Sequence, residues 1–321
     1  MTDSDQHTPP STCPPWHTIE PLFSIATPST PTPLDGVVSN DVTVDAARNL
    51  WFRLFTPLSP SSTSSSSSLP VIVFIHGGGF VFFSPDIKPY DSLCRRLARS
   101  LPALVISLNY RLAPLHRFPV PIHDCFEFLQ FLDNRRNWDS IQGLGFADLA
   151  NCVIVGDSAG ANLGHHVAVM AAEREKKFVV LRVLGFVAIQ PCFGGVERSE
   201  SEIRFGGKDS SLPVERTDWS WGMYLPEGEN RDHGAANVVG PRGTDVSGLR
   251  FPRTLVVVGG ADPLMDRGRE YCEWLVRSGK EAELVVYKDI PHVFYVCQDV
   301  PETGMLIDKI KGFVQELRRS G

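Results

Sequence analysis

Several classes of protein are excluded by what this sequence does not contain. No apolar run in its 321 residues approaches the roughly 18 to 20 residues a membrane-spanning helix needs. There is no basic excess: 31 Lys and Arg face 37 Asp and Glu, a formal charge of −6, which lacks the electrostatic footprint of a nucleic-acid binder. No H-E-x-x-H, P-loop or strand-borne G-x-G-x-x-G is present, so neither a metal nor a cofactor is expected. Cysteines number seven, an odd count without a C-x-x-C pair, and read as scattered reduced thiols rather than a disulfide framework. The first residues, MTDSDQHTPP, lack the basic start and apolar run of a signal peptide, and the final LRRSG is no address or prenylation box. The expectation is a cytoplasmic protein whose partner is a small molecule, with no nucleic acid and no membrane, as monomer or homodimer.

The chain has the means to bury a core, since 42% of it is hydrophobic and α/β folds of this length often form one domain. Residues 1 to 35 are rich in Pro, Ser and Thr and read as irregular, with Trp16, Leu22 and Phe23 as the groups able to dock on the body. Strand-like runs come next at Val42–Val44 and Leu50–Phe55, then a serine-rich loop between Pro57 and Pro70, read as a flexible surface tether. From Val71 onward short apolar runs alternate with helical patterns. Strands are expected at 71–75, 103–108, 152–155, 181–189, 254–258 and 283–287, and helices at 90–99, 122–135, 161–175, 266–278 and 304–317. That alternation implies an α/β fold with a mostly parallel sheet covered on both faces. The stretch from about 191 to 249, rich in Gly and charge with Trp219 and Trp221, breaks the rhythm. It reads as a cap inserted within a 36–321 domain, above the carboxyl ends of the strands where ligands bind.

Gly156-Asp157-Ser158-Ala159-Gly160 spells G-x-S-x-G between a flat β-rich run and a helical pattern. This is the context in which a sharp turn lifts a serine clear of a sheet. A serine hydroxyl needs a base to take its proton, and the base needs an acid to hold its tautomer. Asp262 comes after the run 256–258 and His292 after 285–287, which is the order Ser, Asp, His expected of such a site. His165 and His166 are neighbours on one helix and cannot serve one ligand together, while His233 is the other downstream candidate. Asp266 falls where a helix would begin and reads as an N-cap. Asp289 also competes for the acid's role, and Asp157 stands too near Ser158 to orient His292. His76-Gly77-Gly78-Gly79-Phe80 comes directly after a strand. Its glycine amides, with that of Ala159, are candidates for an oxyanion hole. Of Gly77, Gly78 and Gly79, the first two are favoured. Phe80, Phe82 and Phe83 fit an apolar substrate site and core packing equally well.

Together HGGGF at 76–80, Asn109-Tyr110-Arg111-Leu112-Ala113-Pro114, GDSAG at 156–160, Asp262-Pro263-Leu264 and His292 resemble the hormone-sensitive-lipase type of α/β-hydrolase. Cys94-Arg95-Arg96, Arg216-Thr217-Asp218-Trp219 and Ser247-Gly248-Leu249 resemble the plant carboxylesterases, most of all the carboxylesterase 18 type. The resemblance implies an α/β-hydrolase fold and hydrolysis of short-acyl carboxylic esters, with Ser158, Asp262 and His292 as triad and the 77–79 loop with Ala159 as oxyanion hole. Two relatives within that resemblance imply alternatives. Dehydratases and cyclases use the same pocket, and gibberellin receptors share the fold but lack the triad histidine that is present here. The sequence departs from the family at Leu115, where Glu is usual, at His123-Asp124, where two Asp are usual, and at Ala161, where a further glycine is common. The N-terminal segment does not resemble the family's helical lid.

Overall fold

The computed structural model describes residues 20–58, 68–138, 141–208, 210–297 and 299–320. Eight strands form one sheet: β1 Val37–Asp45, β2 Leu50–Pro57, β3 Leu69–Ile75, β4 Leu104–Asn109, β5 Ala147–Asp157, β6 Val183–Ile189, β7 Arg253–Gly259 and β8 Ala282–Tyr287. Their spatial order is β1-β2-β4-β3-β5-β6-β7-β8. The pairs β1–β2 and β2–β4 are antiparallel and the other five are parallel. All eight coincide with runs the sequence marks as strands; β1 begins earlier than its run, because Val37 pairs with Pro57 across the hairpin.

The α-helices among the described residues are α1 Lys88–Ser100, α2 Val120–Asp133, α3 Ala159–Glu173, α4 Glu200–Phe205, α5 Val214–Tyr224, α6 Met265–Arg277 and α7 Pro301–Ser320. Period-two alternation divides the central strands between two apolar layers. Val71, Val73 and Ile75 of β3 face one layer, filled by Phe128 of α2, Val167 of α3 and Leu275 of α6. Ile72 and Phe74 face the other, filled by Leu97 of α1 and Phe313 of α7. The central strands are therefore buried on both sides, as parallel strands covered by helices on both faces are. Edge strand β1 instead exposes alternate residues. Gly279, at φ +73, ends α6 beyond its last turn. All six cysteines among the described residues are buried and unpaired in disulfides.

The described part of the N-terminal segment, residues 20–35, is more ordered than its composition predicts. Trp16 lies outside the described residues, but Glu20–Ser24 forms a 3-10 turn and Phe23 is buried. Buried Arg53 of β2 ties this end of the chain to the sheet, reaching Asp41 at 2.6 Å, Asp91 of α1 at 3.0 Å and the carbonyl of Thr27 at 2.9 Å. A buried guanidinium must find such partners or be strongly destabilising. Most of the serine-rich loop, residues 59–67, lies outside the described residues. No helix among the described residues is long and apolar enough to cross a membrane. The 191–249 stretch carries α4, α5 and turns but no strand.

Candidate active site

Three of the parallel strands deliver the candidate residues at their carboxyl ends. β5 runs into Ser158, which turns the chain into α3 with φ 52 and ψ −120, a conformation L-residues rarely adopt. The flanking glycines are required by close approach: a Cβ on Gly156 would meet the carbonyl of Gly160, and one on Gly160 the carbonyl of Ile75. The loop after β7 holds Asp262 and the loop after β8 holds His292, both buried. His292 Nδ1 lies 2.8 Å from Asp262 Oδ2, and its Nε2 lies 3.0 Å from Ser158 Oγ. A carboxylate can only accept, so Nδ1 carries the proton and Nε2 is the lone pair facing the serine hydroxyl. The other Asp262 oxygen takes the amide of Leu264 at 2.9 Å, which leaves the carboxylate a fixed direction.

The competing candidates have other employment. His165 is buried against Tyr271, 2.9 Å from its hydroxyl, and burial lowers its pKa. His166 meets the carbonyl of Ala235 at 3.2 Å and is held near pKa 4 by burial. His233 accepts the amide of Ala235 through Nδ1. Asp289 is an exposed turn residue. Asp266 does not cap its own helix, contrary to the sequence reading. It lies in the first turn of α6 and accepts the amide of Ser201 at 2.7 Å, so its carboxylate caps neighbouring α4, a pairing only the tertiary fold creates.

The glycine loop departs from expectation at one position. The amide of Gly77 points to Asp157 Oδ1 and to Tyr90 Oη, both at 2.9 Å, and is thereby withdrawn from any oxyanion. Gly77 is needed for a different reason, since a Cβ there would stand 2.7 Å from Asp157 Oδ2. Gly78 and Gly79 have φ of 103 and 61. Their amides, and that of Ala159 at the first position of α3, have no acceptor among the described residues; a helix's first amides have none within the helix. His76 is buried, its ring stacked on Tyr110 at 4.4 Å and its Nδ1 donating to the Gly77 carbonyl at 2.8 Å. Burial holds it near pKa 4 and therefore neutral at pH 7.

Two residues escape sequence reasoning. Asp157 is fully enclosed and accepts from Gly77, from Tyr90 at 2.9 Å and from Tyr295 at 2.7 Å. Burial outweighs these hydrogen bonds and raises its carboxyl to about pKa 6. Gln190, just past β6 with φ 44, accepts the amide of Val293 at 2.8 Å and donates to the carbonyl of Pro291 at 3.0 Å, bracketing His292. Asp157 lies within the GDSAG run, which does not reveal its partners across the loop, and no local pattern marks Gln190. The family departure at His123-Asp124 is resolved by one carboxylate: buried Asp124 takes both the side chain and the backbone amide of Arg111. Leu115 is exposed and plays no part there.

Above Ser158 opens a cleft whose walls include Gly78, Gly79, Phe82, Phe83, Leu212 and Val293. Phe80 does not line it; that ring is buried against Tyr224 at 3.9 Å. The described residues hold no group of three or more His, Cys, Asp or Glu able to bind a metal. The geometry can hold a serine hydroxyl against an imidazole ring beneath the cleft.

The comparisons with known proteins point the same way. A model of the α/β hydrolase fold family matches residues 72–296, and one of the carboxylesterase family matches 6–118. A gibberellin receptor of Arabidopsis thaliana is 37% identical over 296 residues, covering 89% of this chain and 83% of its own length. Carboxylesterase 20 of the same plant is 35% identical, covering 80% and 78%. A 3-O-acetylpapaveroxine carboxylesterase of Papaver somniferum is 32% identical, covering 88% and 91%. Among solved structures, the thermostable carboxylesterase EstE1 from a metagenomic library superposes with a TM-score of 0.76 at 26% identity, covering 94% and 95%. The chain belongs to the α/β-hydrolase family, among the plant carboxylesterases and gibberellin receptors.

Proposed function

We propose that the protein is a serine carboxylesterase in which Ser158, His292 and Asp262 act as nucleophile, general base and orienting acid. The observation that carries this reading is the continuous chain from Asp262 Oδ2 through His292 to Ser158 Oγ, at 2.8 and 3.0 Å. Ser158 attacks the ester carbonyl as His292 takes its proton. The imidazolium then passes that proton to the departing alcohol, and water releases the acyl group by the same route in reverse. The amides of Gly78, Gly79 and Ala159 are the proposed oxyanion donors, a removed donor typically costing about 10²–10³ in rate. The 191–249 segment serves as the cap of a single 36–321 domain, because Leu212, Arg216, Thr217 and Ser220 line the cleft from it.

The receptor reading draws support from the gibberellin-receptor relatives. A receptor has no need of a serine, histidine and aspartate in hydrogen-bonded line, and that line favours the esterase. The elimination or cyclisation reading needs His292 but not Ser158. Hydrolysis of p-nitrophenyl acetate and butyrate by wild type and Ser158→Ala separates them. The expected outcome is turnover by wild type and a loss of about 10⁴-fold or more in the variant. Folded wild type without turnover sinks the proposal.

A further inference from the structure

The loop that carries the oxyanion glycines continues in an unusual way. Its backbone is left-handed at Gly78, Gly79, Phe80 and Phe83, with φ of 103, 61, 68 and 82. Glycine adopts such angles freely, whereas a bulky aromatic residue there is strained. Phe80 gains a buried position on Tyr224 in return. Phe83 gains no such burial. It is half-buried and forms part of the cleft wall. Strained residues persist where the surroundings over-determine them, and they cluster at ligand sites.

The surroundings of Phe83 do over-determine it. Its ring stacks on Phe23 at 4.6 Å and meets Tyr90 at 6.2 Å, while the Tyr90 hydroxyl is itself tied to Asp157. The Phe83 Cδ2 atom lies 2.6 Å from where a Cβ on Gly78 would stand. The ring therefore rests directly against a proposed oxyanion donor, with Phe23 packed on it. A substrate whose carbonyl oxygen occupies the oxyanion hole must direct one of its arms past this ring.

We propose that Phe83 is a specificity-determining residue, a steric stop that limits the length of one arm of the ester. The inference rests on the esterase reading. Phe23 holds the ring in place, so the N-terminal segment sets specificity through Phe83. Each methylene accepted or refused by an apolar pocket is worth about tenfold or more in discrimination.

The test compares full-length wild type, Phe83→Gly and Phe23→Ala on two series. One is p-nitrophenyl acetate, butyrate, octanoate and decanoate; the other is the acetates of ethanol, butanol and octanol. Glycine suits the left-handed backbone at position 83, so the variant is expected to fold. In one of the two series the long-to-short ratio of kcat/KM should rise at least about tenfold, mostly through KM. Phe23→Ala should move the same series in the same direction by less. Unchanged ratios in both series, or an equal loss at every length, overturns the proposal while the esterase stands. Wild type inactive on every ester defeats the esterase reading and this one with it.

Discussion

Replacing Asp157 with asparagine should change how stability depends on pH, and the site itself sets the size of the change. The carboxyl is enclosed and its folded pKa is about 6 against an ordinary 3.8, burial being the largest cause. A carboxyl whose pKa is raised on folding binds its proton more tightly in the folded state. Below about pH 4 both states are protonated and the group adds no penalty. Between about pH 4 and 6 the unfolded chain releases its proton while the folded protein retains it, so stability falls as pH rises. Above about pH 6 the penalty is complete, and a difference from 3.8 to about 6 amounts to about 3 kcal/mol. Asparagine cannot ionise and escapes this term. It loses hydrogen-bond quality to Gly77, Tyr90 and Tyr295 at every pH. Urea unfolding of both proteins at pH 4, 5, 6 and 7.5 isolates the effect, because titrating groups not coupled to Asp157 cancel in the difference. The variant should gain about 2.5 kcal/mol relative to wild type between pH 4 and 7.5. A difference that stays flat, or that moves in favour of wild type as pH rises, refutes the argument that burial dominates this carboxylate.

Two further substitutions probe the framework. Gln190→Ala removes the hydrogen bonds to Val293 and Pro291 that hold the loop of His292. Val293 is a β-branched residue at φ 70. Each backbone group left unsatisfied costs about 1–3 kcal/mol, and thermal unfolding should register it. In turnover assays kcat should fall about tenfold or more with little change in KM; an unchanged kcat means the loop holds its own shape. Gly160→Ala drives a Cβ into the carbonyl of Ile75, which is backbone and cannot step aside. Destabilisation of about 3 kcal/mol or more, or failure to fold, is expected by denaturant titration, and a stable, active variant would contradict the close approach of α3 to β3.

The order and spacing of the reactive residues were legible because each is announced by its neighbours. G-x-S-x-G lies between a strand and a helix pattern, while Asp262 and His292 each come after a β-rich run. Parallel strands bring their carboxyl ends to one edge, so residues far apart in sequence had to converge there. Five of the helices, too, were readable from their 3.6-residue apolar period, but α4 and α5 within the 191–249 stretch were not. Where the reading failed, the deciding contact was between segments. Gly77 looks like an oxyanion donor in the sequence, and it is the placement of Asp157 across the loop that claims its amide. Asp266 has the look of an N-cap for α6, but the fold sets α4 beside it. Gln190 carries no motif because it acts on a loop about a hundred residues away.

The three phenylalanines after the glycines mark the boundary between the two kinds of information. The fold class, the strand order, the helices outside the 191–249 stretch and the three residues that meet over the sheet could all be read from the sequence, because hydrophobic period and turn chemistry are local properties. Tertiary structure alone sends Phe80 into the core and Phe83 into the cleft, and sets Phe23 against it from a segment whose composition predicts no order. Which face of a ring is buried, and which amide stays unpaired, depends on segments that meet only after the chain has folded.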